Sequence, residues 1–496
     1  MHGADLPPVE SPAQGDASAL SGPWYRGMNR YHWFVLAVAA LGWLFDCLDQ
    51  QLFVLARPAA MKELVAADIA ARGPGQPVLS PMDIKTMESD YSGTVTAVFL
   101  MGWAIGGLIF GVLGDRIGRA KTMMITILLY SAFTGLSALS RGFADFALYR
   151  FLTGLGVGGE FAVGVALVAE VMPDRARPYA LMILQMLSAI GNVGAALTSM
   201  SFGVLEEKGL IDSPWRWMFV IGAVPALLAL VIRARLKEPE RWQRMRKDPA
   251  LKRQMGSYRE LFGHPTWRRH ALLGLLLAFS GVVGLWAVGF FTPDLTGKVL
   301  RAKVVAQVHA EKGTTTAALT EPQNTQLKQT VEQAVDGRMS YWRGVTSIML
   351  QFGGFLGIFA FGMVAQRIGR RPTFAIAFIA AGASTAALFW TLSEFSQLFW
   401  MVPIMGFCQL SVFGGYAMYF PELFPTNLRS TGTSFCYNVG RFVAALGPFA
   451  LGRLQGVFSD KAEPLRYAGV TMCSVFLLGL FVLPFVPETR GKPLPE

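Results

Sequence analysis

Five ionisable residues stand in stretches otherwise built from apolar side chains: Asp46, Asp49, Arg150, Glu160 and Arg441. A charge at the centre of a membrane helix costs about 2.5–3.5 kcal/mol on insertion scales, so such residues face a bundle interior or wet cavity and are functional candidates by default. Asp46 and Asp49 are one helical turn apart and share a face. Two carboxylates at that spacing in a low dielectric resist ionising together, whereas a facing guanidinium favours ionisation. An acid poised between these influences can take a proton on one side and release it on the other. By depth, Asp49 lies roughly 12 Å below the outer end of its apolar segment and Arg150 roughly 8 Å below the outer end of its own, at about 1.5 Å per residue. The two are expected to pair, either as a proton-coupling device or as a static salt bridge between two helices. Glu160 reads as a second proton site or as a structural hydrogen-bond acceptor. Arg441 can grip a carboxylate with two parallel N–H groups; it is the candidate anion-binding residue unless it pairs permanently with Glu160 or an aspartate.

The elements that must position these residues follow from hydropathy. Of 496 residues, 53% are hydrophobic and 16% charged, against about 25% charged in ordinary soluble domains. Nine stretches carry no Asp, Glu, Lys or Arg: 91–114, 122–140, 178–205, 217–232, 271–293, 344–366, 372–393, 395–421 and 467–487. Most can cross a hydrocarbon core of about 30 Å, which needs roughly 20 residues. Three more, 31–57, 146–170 and 430–452, are broken by isolated charges. The prediction is an all-α polytopic membrane protein with twelve transmembrane helices, numbered here in chain order. The net charge of +11 does not point to nucleic acid, because 12 of the 44 Lys and Arg lie between Arg233 and Arg269, after helix 6. Others recur in short loops on the same side, and basic residues accumulate in cytoplasmic loops. A plasma (inner) membrane location with both termini cytoplasmic is therefore expected, with no cleavable signal peptide. The four cysteines have no metal-ligand spacing, and neither a metal nor a cofactor is expected.

The chain repeats itself. GVLGDRIGRAK (Gly111–Lys121) returns as GMVAQRIGRRP (Gly362–Pro372), and EVMPDRAR (Glu170–Arg177) returns as ELFPTNLR (Glu422–Arg429). Two six-helix pseudo-symmetric halves follow: a disordered tail over 1–28, one half over 29–235, a cytoplasmic linker over 236–269, the second half over 270–486 and a tail over 487–496. Residues 298–340 read as a long polar extracytoplasmic loop with a short surface helix around 324–336. Asp115, Arg116, Arg119, Glu170, Arg177, Arg367, Glu422 and Arg429 are the gating candidates in the repeated loops; read blandly, the loop cations only set topology. Glycines three or four residues apart, Gly102, Gly106, Gly107 and Gly111 on helix 2 and Gly154 and Gly158 on helix 4, allow close and mobile helix packing.

These motifs resemble the major facilitator superfamily. GDRIGRAK is similar to its signature between helices 2 and 3, RFLTGLGVG (Arg150–Gly158) to its helix 4 signature, and PERW and PETRGK to sugar-porter signatures after helices 6 and 12. The resemblance implies alternating access around a midplane site, with Asp115 facing the N-terminus of helix 11. It also implies a cavity lined by helices 1, 4, 7 and 10, and a helix 1 Asp paired with the helix 4 Arg. Gln366 stands where the second copy of the loop should carry Asp, so the gate is expected to be asymmetric. GGEF (Gly158–Phe161), Asp46-Cys-Leu-Asp49 and FCYNVGRFVAALGP (Phe435–Pro448) resemble metabolite, sialate and aromatic-acid proton symporters. Softer substrate-binding candidates are Gln185, Asn192, Trp286, Gln351, Gln409, Tyr416 and Tyr419, each of which could instead be a packing or helix–helix bonding residue.

The reading is a monomeric secondary transporter in the lipid bilayer, moving a small organic anion (a carboxylate or acidic sugar) together with protons. A proton-coupled or facilitative sugar carrier is the alternative, and a non-transporting nutrient sensor is the alternative of another class. No nucleotide loop, metal cluster or catalytic triad suggests an enzyme.

Overall fold

The computed structural model describes residues 23–72, 79–207, 210–289, 292–313 and 325–495. Most of the N-terminal tail, and the stretch 314–324 within the predicted polar loop, lie outside the described residues. The regular structure of the described residues is all helical, with no strand among them. In chain order the principal helices are α1 (Arg30–Ala70), α2 (Pro81–Ile117), α3 (Arg119–Ser137), α4 (Phe143–Val171) and α5 (Arg177–Glu207). α6 is broken into Pro214–Ile221 and Ala226–Arg235, and α7 runs Pro265–Val283 and continues as a π-helical turn over Gly284–Val288. Then come α8 (Thr325–Ile368), α9 (Arg370–Thr391), α10 (Met401–Glu422), α11 (Arg429–Ala444 and Gly447–Val457) and α12 (Pro464–Met472 and Val475–Val482). Among the described residues, nine helical segments are long and apolar enough to cross a membrane. α3 and the broken α6 and α11 occupy the other three predicted positions.

Glycine sets how closely the helices meet. A Cβ on Gly106 would sit 2.0 Å from the Leu155 carbonyl oxygen of α4, and one on Gly158 would sit 2.1 Å from that of Trp103 on α2. The two glycine stripes therefore face each other. The second half repeats the device: a Cβ on Gly357 of α8 would lie 2.0 Å from the Phe407 oxygen of α10, and one on Gly406 2.0 Å from that of Leu350. At the ends of α2 and α8, Gly118 and Gly369 take φ of 119° and 99°, a turn that a side chain disfavours.

The predicted polar loop differs from expectation. Its described part is two helices, Thr292–Lys312 and the first turns of α8, which pack through Val304, Val308, Val331, Val335 and Met339. Arg338 Nη1 donates to Glu311 at 2.8 Å across the pair. The apolar valines sit among Lys, Gln and Glu at helical spacing, and mean polarity hid that face. α1 has 41 residues, about 60 Å at 1.5 Å per residue, so it too projects past a hydrocarbon core. The loops between α2 and α3 and between α8 and α9, with the linker, mark one face, called basic below; the paired helices mark the distal face.

Candidate functional site

A cavity of about 100 Å³ lies between the two halves. Helix α1 contributes Trp43, Cys47, Gln50 and Val54, which recur every three or four residues and so form one helical stripe. Opposite and around it stand Trp103, Gln185, Asn192, Trp286, Gln351, Tyr437 and Arg441. The π-helical turn of α7 carries Trp286, whose ring meets that of Trp103 edge-on at 5.1 Å.

Arg441 is fully buried. Its guanidinium lies 3.9 Å from the centroid of the Trp103 ring and 4.3 Å from that of Tyr437. Nη1 donates to the Tyr437 carbonyl at 2.5 Å and to Asn438 Oδ1 at 2.9 Å. Nε and Nη2 have no partner among the described residues. Those two nitrogens form one edge of the guanidinium, the fork that holds a carboxylate by two parallel bonds. The alternative of a permanent pair with Glu160 is not realised, because Glu160 Oε2 accepts from Thr126 Oγ1 at 2.8 Å and Arg441 makes no ion pair among the described residues. Gln185 Oε1 and Gln351 Oε1 are also without partners there, so the cavity offers a cationic fork and two amide acceptors between aromatic walls.

The other buried charges form a layer behind α1 and do not line the cavity. Asp49 accepts from Thr134 Oγ1 at 2.6 Å, and its second oxygen lies 3.8 Å from Arg150 Nη1. Arg150 is held by hydroxyls, with Nη2 donating to Ser137 at 2.8 Å, Thr153 at 3.0 Å and Thr134 at 3.2 Å. The face of Phe219 lies 4.6 Å away. Asp46 accepts from Gln50 Nε2 at 3.1 Å, and its other oxygen is unpartnered among the described residues. Gln50 lines the cavity, so it links Asp46 to the solute space. Glu160 fits beneath α1 because residue 42 is Gly: a Cβ there would meet Oε1 at 2.3 Å.

The basic face is closed by a buried network. Asp115 accepts from the backbone N–H groups of Ser430 and Thr431 at 3.2 and 2.8 Å and from Thr431 Oγ1 at 2.6 Å. These are the first residues of α11, where exposed N–H groups and the helix dipole favour an anion. Arg119 bridges Asp115 at 3.0 Å and Glu170 at 2.8 Å, and Arg429 of the second half reaches the same Glu170 oxygen at 3.1 Å. Arg177 donates to the Ala169 carbonyl at 2.8 Å and pairs with Asp174. In the second half Arg370 pairs with Glu422 at 2.9 Å.

Several placements differ from expectation. Arg367 is exposed, and the buried cation of the second copy is Arg370. In the repeat Arg370 corresponds to Arg119, while Arg367 corresponds to the exposed Arg116, whose Nε donates to the Met255 carbonyl at 3.3 Å. Gln409 and Tyr416 stand outside the cavity wall. Gln409 donates to Thr385 at 2.9 Å, and Tyr416 donates to the Leu277 carbonyl at 2.7 Å and bonds α10 to α7. Tyr419 donates to the Pro487 carbonyl at 2.6 Å. Conversely, the cavity residues Trp43, Trp103, Gln50 and Tyr437 were not singled out by the sequence; a stripe spaced from Asp46 would have found the first and third.

Residues 77–254 match the family model described as "Sugar (and other) transporter". A putative metabolite transport protein of Haemophilus influenzae is 27% identical over 474 residues, covering 94% of this chain and 99% of the relative. A cis,cis-muconate transport protein of Acinetobacter baylyi is 27% identical, covering 84% and 89%. The solved major facilitator superfamily proton:xylose symporter XylE superposes with a TM-score of 0.66 at 18% identity, covering 94% of this chain and 98% of that one. The chain has the fold of a major facilitator superfamily transporter. The metabolite-transport relative and the solved symporter each match over 94% of this chain.

Proposed function

We propose that this protein imports a small organic anion with protons by alternating access, as a monomer in the inner membrane with its basic face in the cytoplasm. One observation carries the reading: a fully buried guanidinium at the cavity wall whose Nε and Nη2 have no hydrogen-bond partner and no ion pair among the described residues. A carboxylate would satisfy both donors and neutralise a charge that is costly to hold in a low dielectric. Trp43, Trp103 and Tyr437 suit an apolar or planar body, and Gln185 and Gln351 suit a hydroxyl or N–H donor on it. The muconate relative is named for a carboxylate. Proton coupling would run through Asp49 and Arg150, with Asp46 tied to the cavity by Gln50 and Glu160 as a further acid.

The test is Arg441→Gln in proteoliposomes. Losing two hydrogen bonds to a charged group should weaken carboxylate binding by about 3 kcal/mol, more than 100-fold, with membrane insertion and thermal stability retained. Affinity within threefold of the parent would remove Arg441 from the site. A sugar carrier is the second reading, favoured by the amide-rich wall of Gln50, Gln51, Gln185, Asn192 and Gln351 and by the name of the matched family model. Saturable xylose uptake that survives Arg441→Gln would support it. Flux of any solute would exclude a non-transporting sensor.

A further inference from the structure

A second group of cations meets open space on the distal face. There a crevice of about 1160 Å³ separates α1 and α2 from α8, α11 and the start of α12. Among the described residues five cations face it, Arg57, Lys85, Arg301, Arg343 and Arg453, against two carboxylates, Glu88 and Asp90. Leu446, Phe449 and Leu465 give it an apolar wall. Its floor adjoins the roof of the central cavity. On α1, Val54 lines the cavity and Arg57 the crevice; on α8, Thr346 lines the cavity and Arg343 the crevice. Each step is three residues, about 4.5 Å along the helix. Arg57 is 7% exposed and its Nη1 donates to Thr96 Oγ1 at 2.7 Å, which fixes its charge beside the passage. Arg343 lies against Gly297, where a Cβ would come within 3.3 Å of Nη2. Arg301 is shared with Asp336 at 3.8 Å.

We propose that Arg57 and Arg343 form an outer anion station, which takes a carboxylate with an apolar body into the crevice and delivers it to Arg441. The station rests on the reading that the cargo is an anion. Five cations against two acids, between low-dielectric walls, concentrate anions at the mouth; focusing of this kind raises capture rates by about 10- to 1000-fold and weakens with salt. The same chemistry suits an anionic lipid headgroup, since both present an oxyanion on an apolar body, and the experiment separates the two sources.

Uptake of labelled cis,cis-muconate, sialic acid and D-xylose is measured with the full-length protein in vesicles of neutral lipid, and again with anionic lipid added. The parent should take up an acid, with kcat/KM falling between about 20 and 200 mM salt as the field is screened. Arg343→Gln, and separately the exposed Lys85→Glu, should lower kcat/KM about tenfold at low salt, flatten the salt dependence and leave kcat within twofold. Arg343→Lys should restore most of the loss. Unchanged kcat/KM and salt dependence in both charge-removing variants would overturn the station while leaving the anion reading intact. A defect confined to vesicles with anionic lipid would assign the crevice to lipid and also overturn it. A parent that moves xylose but neither acid would overturn the anion reading, and the station with it.

Discussion

Replacing Asp49 by asparagine separates proton coupling from scaffolding. Asp49 Oδ2 lies 3.8 Å from Arg150 Nη1 with both side chains fully buried. At an effective dielectric constant of 20, that distance corresponds to about 4 kcal/mol of attraction, roughly three decades in an equilibrium constant. If the pair is a proton device, its strength must change through the cycle, and an amide that cannot ionise freezes it in the neutral state. The amide oxygen of the substituted side chain can still accept from Thr134, which donates to Asp49 at 2.6 Å, and Arg150 keeps its bonds to Ser137 and Thr153. Packing between α1 and α4 should therefore survive. In proteoliposomes with an imposed pH gradient, Asp49→Asn should abolish accumulation above equilibrium while counterflow of unlabelled for labelled solute continues within about threefold of the parent, a loss of under 1 kcal/mol. Equal loss of accumulation and counterflow, with a lowered melting temperature, would make the pair a static lock. Accumulation at the parent level would remove it from coupling.

Two further predictions concern the basic face. Asp115→Asn weakens the charge-assisted bonds to the first turn of α11 and the bridge to Arg119. A loss of about 2 kcal/mol, roughly 30-fold, should appear as faster labelling of a Thr433→Cys reporter from that face, and unchanged labelling would count against the gate. Burial alone would push Glu488 up, but the N–H groups of Arg370, Arg371 and Arg490, with the Arg370 charge, hold its carboxyl below the usual range. Its contribution is therefore full above the unfolded value near 4.3 and lost as pH falls through the lower folded value. The melting temperature of the parent should drop more steeply than that of Glu488→Gln below about pH 4.3, and parallel profiles would refute the assignment.

What could be read before folding was whatever costs most to bury. A charge in an apolar segment stands out in any sequence, so Asp49 with Arg150, and Arg441 as a lone buried cation, were accessible from depth and residue type. Asp115 at the start of α11 followed from its loop motif. Residues whose role depends on direction were not legible. Trp43 and Trp103 face the cavity while Trp390 and Trp400 are exposed on the outer surface of the bundle, and in a membrane helix both surroundings are apolar. Hydropathy therefore gives no period from which to choose a face. Gln409 illustrates the converse: its amide nitrogen donates to Thr385 of the neighbouring helix, a bond that only the packed bundle reveals. Arg370 was legible too, because the repeat aligns it with Arg119.

The two faces of the bundle differ in what holds them. The basic face is bonded across the halves by Asp115, Glu170 and Arg429, while the distal crevice is open and cationic. Closing that crevice would remove water from Arg57 and Arg343 and bring the field of Arg441 into a drier space, and the cost of bringing like charges together out of water rises steeply. On the proposed reading, a carboxylate on Arg441 cancels the charge in front of α1 and a proton on the acid layer reduces the negative charge behind it. Cargo and proton then act from opposite sides of one helix, with Gln50 bonded to Asp46 and lining the cavity, and the proton offsets the negative charge that the cargo brings. Coupling would on this account arise from the electrostatics of closure, without direct contact between proton and solute. It follows that in Asp49→Asn, where the acid layer is already neutral at one position, cargo alone should permit closure, which is why counterflow is expected to persist when accumulation is lost.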